Sequence, residues 1–133
     1  MTKKQKGFSL IELLIVVAII LIIAAIAIPN LLRAKIAANQ AGAVGTLRTI
    51  SSAEQTFSST YNDGFTLTLA QLGGPAGSNT CAAAGLIDEV LSAGVKGGYT
   101  YTFTANGTAQ LAAGIPAACG SSGDTGFSVT AKP

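Results

Sequence analysis

The sequence predicts an α+β fold, in which one long N-terminal helix is half transmembrane and half packed on a head with a small antiparallel three-stranded sheet. Three observations lead to this prediction. The stretch from Leu13 to Ile28 is apolar and uncharged, apolar residues then recur at helical spacing as far as Tyr61, and later stretches alternate as strands do. With 133 residues, 49% of them hydrophobic, the chain suits one small domain and is too apolar for a disordered protein.

The N-terminal segment has the organisation of a membrane-inserted helix. Residues 1–7 form a short cationic leader with three lysines, which the positive-inside rule would keep on the cytoplasmic side. The apolar run from Phe8 to Ile28 would form about 31 Å of helix, which matches a hydrocarbon core of about 30 Å. The leader therefore sets the orientation, and the run spans the membrane.

Glu12 does not fit a plain membrane anchor. It lies one helical turn inside the apolar run, where a carboxylate costs on the order of 2.5–3.5 kcal/mol near the membrane centre and less near its edge. The side chain either reaches the lipid headgroups or pairs with a cation. We favour the second interpretation, in which Glu12 requires a partner cation.

Pro29 should bend or loosen the helix, because proline removes one hydrogen bond and its ring crowds the residue four positions earlier. The sequence Tyr61-Asn62-Asp63-Gly64 is a stop signal, so the helix should span about residues 8 to 60. Between these points one helical face should anchor the head, with apolar residues at Leu32, Ile36, Ala43, Leu47, Ile50, Phe57 and Tyr61.

Four residues complicate this part of the helix. Asn39 and Glu54 interrupt the apolar face. Gly42 and Gly45 each cost about 1 kcal/mol relative to alanine in a helix, so they are either bending points or sites of close packing.

The head should contain a second helix and three strands. Asn79 or Thr80 can cap a short helix that Gly94 should end, with an apolar face formed by Leu86, Ile87, Val90 and Leu91. Aromatic and threonine residues alternate from Tyr99 to Thr104, Asn106-Gly107 suits a hairpin turn, and two further strands are expected at Ala109 to Ile115 and Phe127 to Ala131.

Two cysteines, Cys81 and Cys119, form an even count in a chain that looks exported, and this predicts a disulfide. Chain-entropy reasoning gives the closed loop a stabilisation of roughly 4 kcal/mol. Two separate buried thiols are the alternative.

The composition argues against most chemical functions. The chain has no histidine, which is the commonest acid-base group near neutral pH, and only Asp88 and Glu89 form an acidic cluster in the head. Neighbouring residues on a helix point apart, so we expect no catalytic residues, no metal and no cofactor. The cations outside the leader are well spread, and this argues against specific nucleic-acid binding: Arg33, Lys35, Arg48, Lys96 and Lys132.

The string Lys6-Gly7-Phe8-Ser9-Leu10-Ile11-Glu12-Leu13-Leu14, followed by an apolar helix and Ala27-Ile28-Pro29-Asn30, resembles the N-terminal signature of the type IV pilin and pseudopilin family. The resemblance covers about residues 1 to 60. It implies that a prepilin peptidase cuts between Gly7 and Phe8 and methylates the new amino group of Phe8. It also implies that Glu12 pairs with the Phe8 ammonium of a neighbouring subunit, and that the helix loosens near Pro29.

The family resemblance divides the chain into a removed leader (1–7), a transmembrane and filament-core helix (8–29) and a globular head (30–133). The implied function is that of a structural subunit of a type IV pilus-like filament in adhesion or surface motility. The implied partners are copies of the chain, the assembly machinery and minor pilins. The precursor would lie in the inner membrane, and the filament would be extracellular, on the surface of a prokaryote.

Several alternatives differ in testable ways. A pseudopilin of a type II secretion system shares the signature, but such proteins often bind calcium in an acidic C-terminal loop. Here residues 120–126 hold one carboxylate, Asp124, whereas calcium needs six to eight oxygens. A DNA-uptake minor pilin would need a basic patch on the head. A secretory signal cleaved at Ala25-Ile26-Ala27 would release a soluble exported protein that starts at Ile28, and it would leave Glu12 unexplained. The absence of histidine and the presence of Glu12 argue against a soluble exported enzyme.

Overall fold

The computed structural model describes residues 7–61, 64–75, 77, 80–107 and 125–133. These residues fall into two compact units, one that ends at Ala38 and one that begins at Asn39. The helices are α1 (Leu10–Tyr61), α2 (Leu69–Leu72) and α3 (Glu89–Ser92), and the strands are β1 (Val95–Lys96), β2 (Tyr99–Ala105) and β3 (Phe127–Lys132).

The long helix α1 has 52 residues, close to the predicted span of about residues 8 to 60. In the first unit it is the only element of the described chain, and its apolar side chains remain exposed. The helix assignment continues through Pro29. Since proline has no backbone N–H, the usual hydrogen bond to the carbonyl of Ala25 is absent. The predicted bend at Pro29 stays a prediction.

The second unit is built around the C-terminal part of α1. Ile50 and Phe57 are buried against Leu72, Leu91 and Tyr101 from the later elements. This confirms the predicted apolar face for its C-terminal half, whereas Leu32 and Ile36 at its start are each 57% exposed. The anchoring face therefore begins near Ala43, which is buried.

The sheet has three antiparallel strands in the order β1-β2-β3, as the fold class predicts. Tyr101 lies opposite Ala131, and Phe103 lies opposite Val129. The first strand, however, was not predicted, because β1 is only two residues long. Gly97 and Gly98 form the turn between β1 and β2, and their φ angles of 62° and 81° suit a tight hairpin. The predicted strand at residues 109–115 lies outside the described residues.

The prediction of a second helix starting near residue 80 was wrong. Residue 79 lies outside the described residues, and α3 begins only after Asp88. The reason is that the preceding backbone bonds elsewhere: the N–H of Ala84 donates to the carbonyl of Gln71 (2.9 Å), and the N–H of Leu86 donates to that of Leu72 (2.8 Å). Gly94 has φ 82° and follows the helix, as predicted.

Glu54 interrupts the apolar face of α1 without reaching solvent. Its side chain is fully buried, and both carboxylate oxygens accept hydrogen bonds from Thr66. The backbone N–H of Thr66 lies 2.9 Å from Oε2, and the Thr66 hydroxyl donates to Oε1. Burial raises the pKa of Glu54, while the two hydrogen bonds act in the opposite direction. The pair ties α1 to the loop that precedes α2.

Candidate processing and assembly site at the N-terminus

Gly7 and Phe8 lie ahead of the helix, in backbone without regular structure. Both residues are exposed, Phe8 with 76% of its surface accessible. A Cβ added at Gly7 would meet no atom within 4 Å, so packing in the described chain does not require glycine there. The predicted cleavage junction is therefore accessible, and cleavage would leave the new amine two residues before the helix starts.

Ser9 and Glu12 form the N-terminal cap of α1. The backbone N–H of Ser9 donates to Oε2 of Glu12 over 3.0 Å. The carbonyl of Ser9 accepts from the N–H groups of Glu12 (3.1 Å) and Leu13 (3.3 Å). This is the backward half of a capping box, in which the third residue of a helix bonds to the residue that caps it. The carboxylate also lies at the positive end of the helix dipole.

This cap is a feature that the sequence interpretation missed. Serine followed three residues later by glutamate, just before an apolar run, is a recognised start signal for a helix. The interpretation assigned Glu12 only an assembly role. In the structure Glu12 is exposed and uses Oε2 for Ser9, so a cation can still approach the carboxylate.

The helix surface that follows is apolar and uncovered. The most apolar window of α1 has a mean hydropathy of 3.3, and none of it is buried. Large side chains from Leu10 to Ile36 have between 46% and 77% of their surface accessible, with Val17 the lowest and Leu10 the highest. By length and composition, this is the one helix of the described chain able to cross a membrane. Such a continuous patch is far larger than a monomeric soluble protein exposes.

Other predicted site residues are placed as follows. Cys81 is buried in the core of the second unit, with 5% of its surface accessible, while residue 119 lies outside the described residues. The disulfide therefore stays a prediction. Among the described residues, no group of three or more His, Cys, Asp or Glu side chains could hold a metal ion.

Comparison with known proteins bears on this N-terminal segment. Residues 2–28 match the family model of the prokaryotic N-terminal methylation motif. The match contains the Gly7–Phe8 junction, Glu12 and the apolar run, and it supports the resemblance to type IV pilins.

Two curated proteins resemble the chain around this motif. It is 65% identical over 37 residues to the type IV wide pilus major component PilA4 of Thermus thermophilus, a stretch that covers 28% of each chain. It is 46% identical over 54 residues to the type IV major pilin protein PilA of Myxococcus xanthus, covering 41% of this chain and 24% of the relative. The chain thus spans about a quarter of the length of these relatives. No solved structure matches it significantly.

Proposed function

We propose that the chain is a structural subunit of a type IV pilus-like filament rather than an enzyme. The observation that carries the proposal is the uncovered apolar surface of α1, which starts two residues after Phe8 and holds a single carboxylate, Glu12. In the inner membrane, lipid would cover this surface. Once the helix leaves the lipid, only other apolar helices can cover it, and each Å² removed from water contributes about 25 cal/mol.

Processing would create the second part of the assembly site. A prepilin peptidase would remove residues 1–7 and methylate the amino group of Phe8. The mature chain would then have the apolar helix of residues 8–29 and the head of residues 30–133. Methylation keeps this amine cationic, so the amine can pair with Glu12 of a neighbouring copy. Two buried opposite charges avoid the penalty that each would suffer alone, and the pairing would fix the register between subunits.

The matched relatives favour a pilus over a secretion pseudopilus. Both are named as major components of type IV pili. By analogy, the precursor would lie in the inner membrane and the assembled filament on the cell surface, with assembly machinery and minor pilins as further partners. A pseudopilin would instead act in type II secretion, and its deletion would stop enzyme export without removing long filaments.

Glu12→Ala tests the proposal, with Glu89→Ala as the matched control because Glu89 is an exposed carboxylate of the head. Filaments would be counted by electron microscopy, and their protein would be identified by mass. Wild type and Glu89→Ala should form filaments, while Glu12→Ala should be processed, stay in the membrane and assemble poorly. Normal filaments from Glu12→Ala would refute the charge pairing, and absence of this chain from any surface filament would refute the proposed function.

A further inference from the structure

Gly42 has no explanation in the part of the chain that the structure describes. It lies in the interior of α1, where glycine costs about 1 kcal/mol relative to alanine. Its backbone is helical, so no positive φ requires glycine. A Cβ added at this position would meet no atom within 4 Å, so close packing within the chain does not require it either. The missing side chain leaves open space on the surface of the second unit.

That space belongs to a cleft of about 310 Å³ between α1 and the hairpin of β1 and β2. On the helix side Gly42 is flanked by Ala43 and Thr46, and on the hairpin side the wall includes Tyr99 and Tyr101. Ala43 and Tyr101 are almost fully buried at its base, with 6% and 5% of their surface accessible. We call this space the Gly42 cleft, and its lining is mainly apolar.

Two polar groups in the lining of the Gly42 cleft are engaged within the chain. The hydroxyl of Thr46 donates to the carbonyl of Gly42 over 3.0 Å. The ammonium of Lys96, at the hairpin end, lies 2.7 Å from Oδ2 of Asp88. An incoming charged or strongly polar ligand would have to compete with these bonds, whereas an apolar side chain would not. The cleft therefore suits an apolar occupant.

We propose that the Gly42 cleft is a docking site for a second copy of this chain and receives apolar side chains of that copy's long helix. The inference rests on the proposed function. Exposed large apolar residues of α1 run from Leu10 to Ile36 and recur at Val44, and Asn39 and Gly42 of the cleft lie between Ile36 and Val44 in the same helix. A helix position without a side chain lets another helix approach closely.

Lipid is a less suitable occupant. Asn39 follows Ile28, the last residue of the apolar run, by about 16 Å of helix, which places it beyond a hydrocarbon core already filled by residues 8–28. A copy of the chain supplies the apolar side chains that the cleft fits, because the same helix exposes them in large number.

The test compares Gly42→Leu, Gly42→Ala and Gly45→Leu in the full chain. Gly45 is the matched control, since it is also helical and open to solvent but does not line the cleft. Alanine at position 42 should raise the Tm of the detergent-solubilised chain by about 4 °C, because it removes the helix cost of glycine. Both changes at position 42 should nevertheless reduce filament yield. For Gly42→Leu we expect a loss of about tenfold, which is equivalent to about 1.4 kcal/mol of binding free energy between subunits.

Opposite changes in stability and assembly separate a docking role from a structural one. Filament yield near wild type for Gly42→Leu would overturn the proposal, and so would an equal loss for Gly45→Leu. If Gly42→Leu does not fold, the filament yield of Gly42→Ala decides, and a yield equal to that of the wild type overturns the proposal. Loss of Gly42→Leu from the membrane fraction would indicate a lipid occupant and also overturn it. The proposed function is tested separately: if wild-type filaments form and depend on Glu12, it stands whatever the result for the Gly42 variants.

Discussion

The carboxylate of Glu54 and residue Thr66 form a buried hydrogen-bonded pair, with Thr66 as donor to both oxygens. Glu54 belongs to α1, and Thr66 to the loop before α2. A buried carboxylate without partners would be strongly destabilising, so these two bonds explain how a charged residue is tolerated on the apolar face.

This pair predicts a specific pH dependence of stability. Because burial raises the pKa of Glu54 in the folded chain above its ordinary value of 4.5, the folded state binds the proton more tightly than the unfolded state. The contribution of Glu54 to the free energy of unfolding is therefore full below pH 4.5 and is lost as the pH rises through the folded pKa. Each unit of pKa difference is equivalent to about 1.4 kcal/mol.

Denaturant unfolding of the detergent-solubilised chain between pH 4 and 8 measures this effect. The free energy of unfolding should fall more with rising pH in the wild type than in Glu54→Gln. The exposed-residue variant Glu89→Gln serves as control and should keep the wild-type slope. Equal slopes for wild type and Glu54→Gln would show that the carboxyl does not titrate differently in the folded state.

The substitution Glu12→Gln separates the observed helix cap of Glu12 from its proposed charge pairing. The amide oxygen of glutamine can still accept the N–H of Ser9, so the cap of α1 should persist, but the negative charge is lost. We expect this variant to be processed and to assemble at least tenfold less than wild type, because the neighbouring Phe8 ammonium loses its partner. Counting filaments at equal expression tests this expectation. Assembly at the wild-type level would mean that Glu12 acts as a helix cap alone.

Gly7→Leu should block processing. Gly7 lies outside α1, and an added Cβ would meet no atom of the described chain within 4 Å, so the fold should tolerate leucine there. A peptidase that requires the small residue would leave the leader attached, and the precursor would accumulate in the membrane. Mass spectrometry of the membrane fraction measures the leader directly. Efficient removal of the leader from Gly7→Leu would contradict the assigned cleavage site.

The predicted disulfide has its own test. Alkylation of the denatured, unreduced chain should modify neither Cys81 nor Cys119, and reduction should expose both. Reduction should also lower the free energy of unfolding by roughly 2–4 kcal/mol, since the bond restricts the unfolded chain. Alkylation of both cysteines before reduction would show that they are two separate thiols.

Long, periodic features were predictable from the sequence, and short ones were not. The extent of α1 and the strand at Tyr99–Ala105 follow from repeated patterns over many residues. The hairpin at Gly97-Gly98 was missed because β1 has only two residues and no alternation to recognise. The second helix was predicted to be too long. The backbone of Ala84 to Ile87 forms hydrogen bonds with residues 71–73 instead, and local helix propensity does not encode such a long-range contact.

The N-terminal site was likewise only partly predictable. The motif around Gly7, Phe8 and Glu12 is a local string, so the sequence alone identifies it. The hydrogen bond between Ser9 and Glu12 could have been predicted from their spacing of three residues. It was missed because Glu12 was interpreted only as a carboxylate inside a membrane-spanning run. The Gly42 cleft needed coordinates, because its two walls are at least 50 residues apart in the chain.

The mass of the N-terminal peptide from isolated surface filaments tests the central claim most directly. If the apolar helix is the filament core, the chain recovered from filaments begins at Phe8, carries one methyl group on its amine and retains the whole run to Ile28. A chain recovered only as a dispersed water-soluble monomer that begins at Ile28 would contradict it.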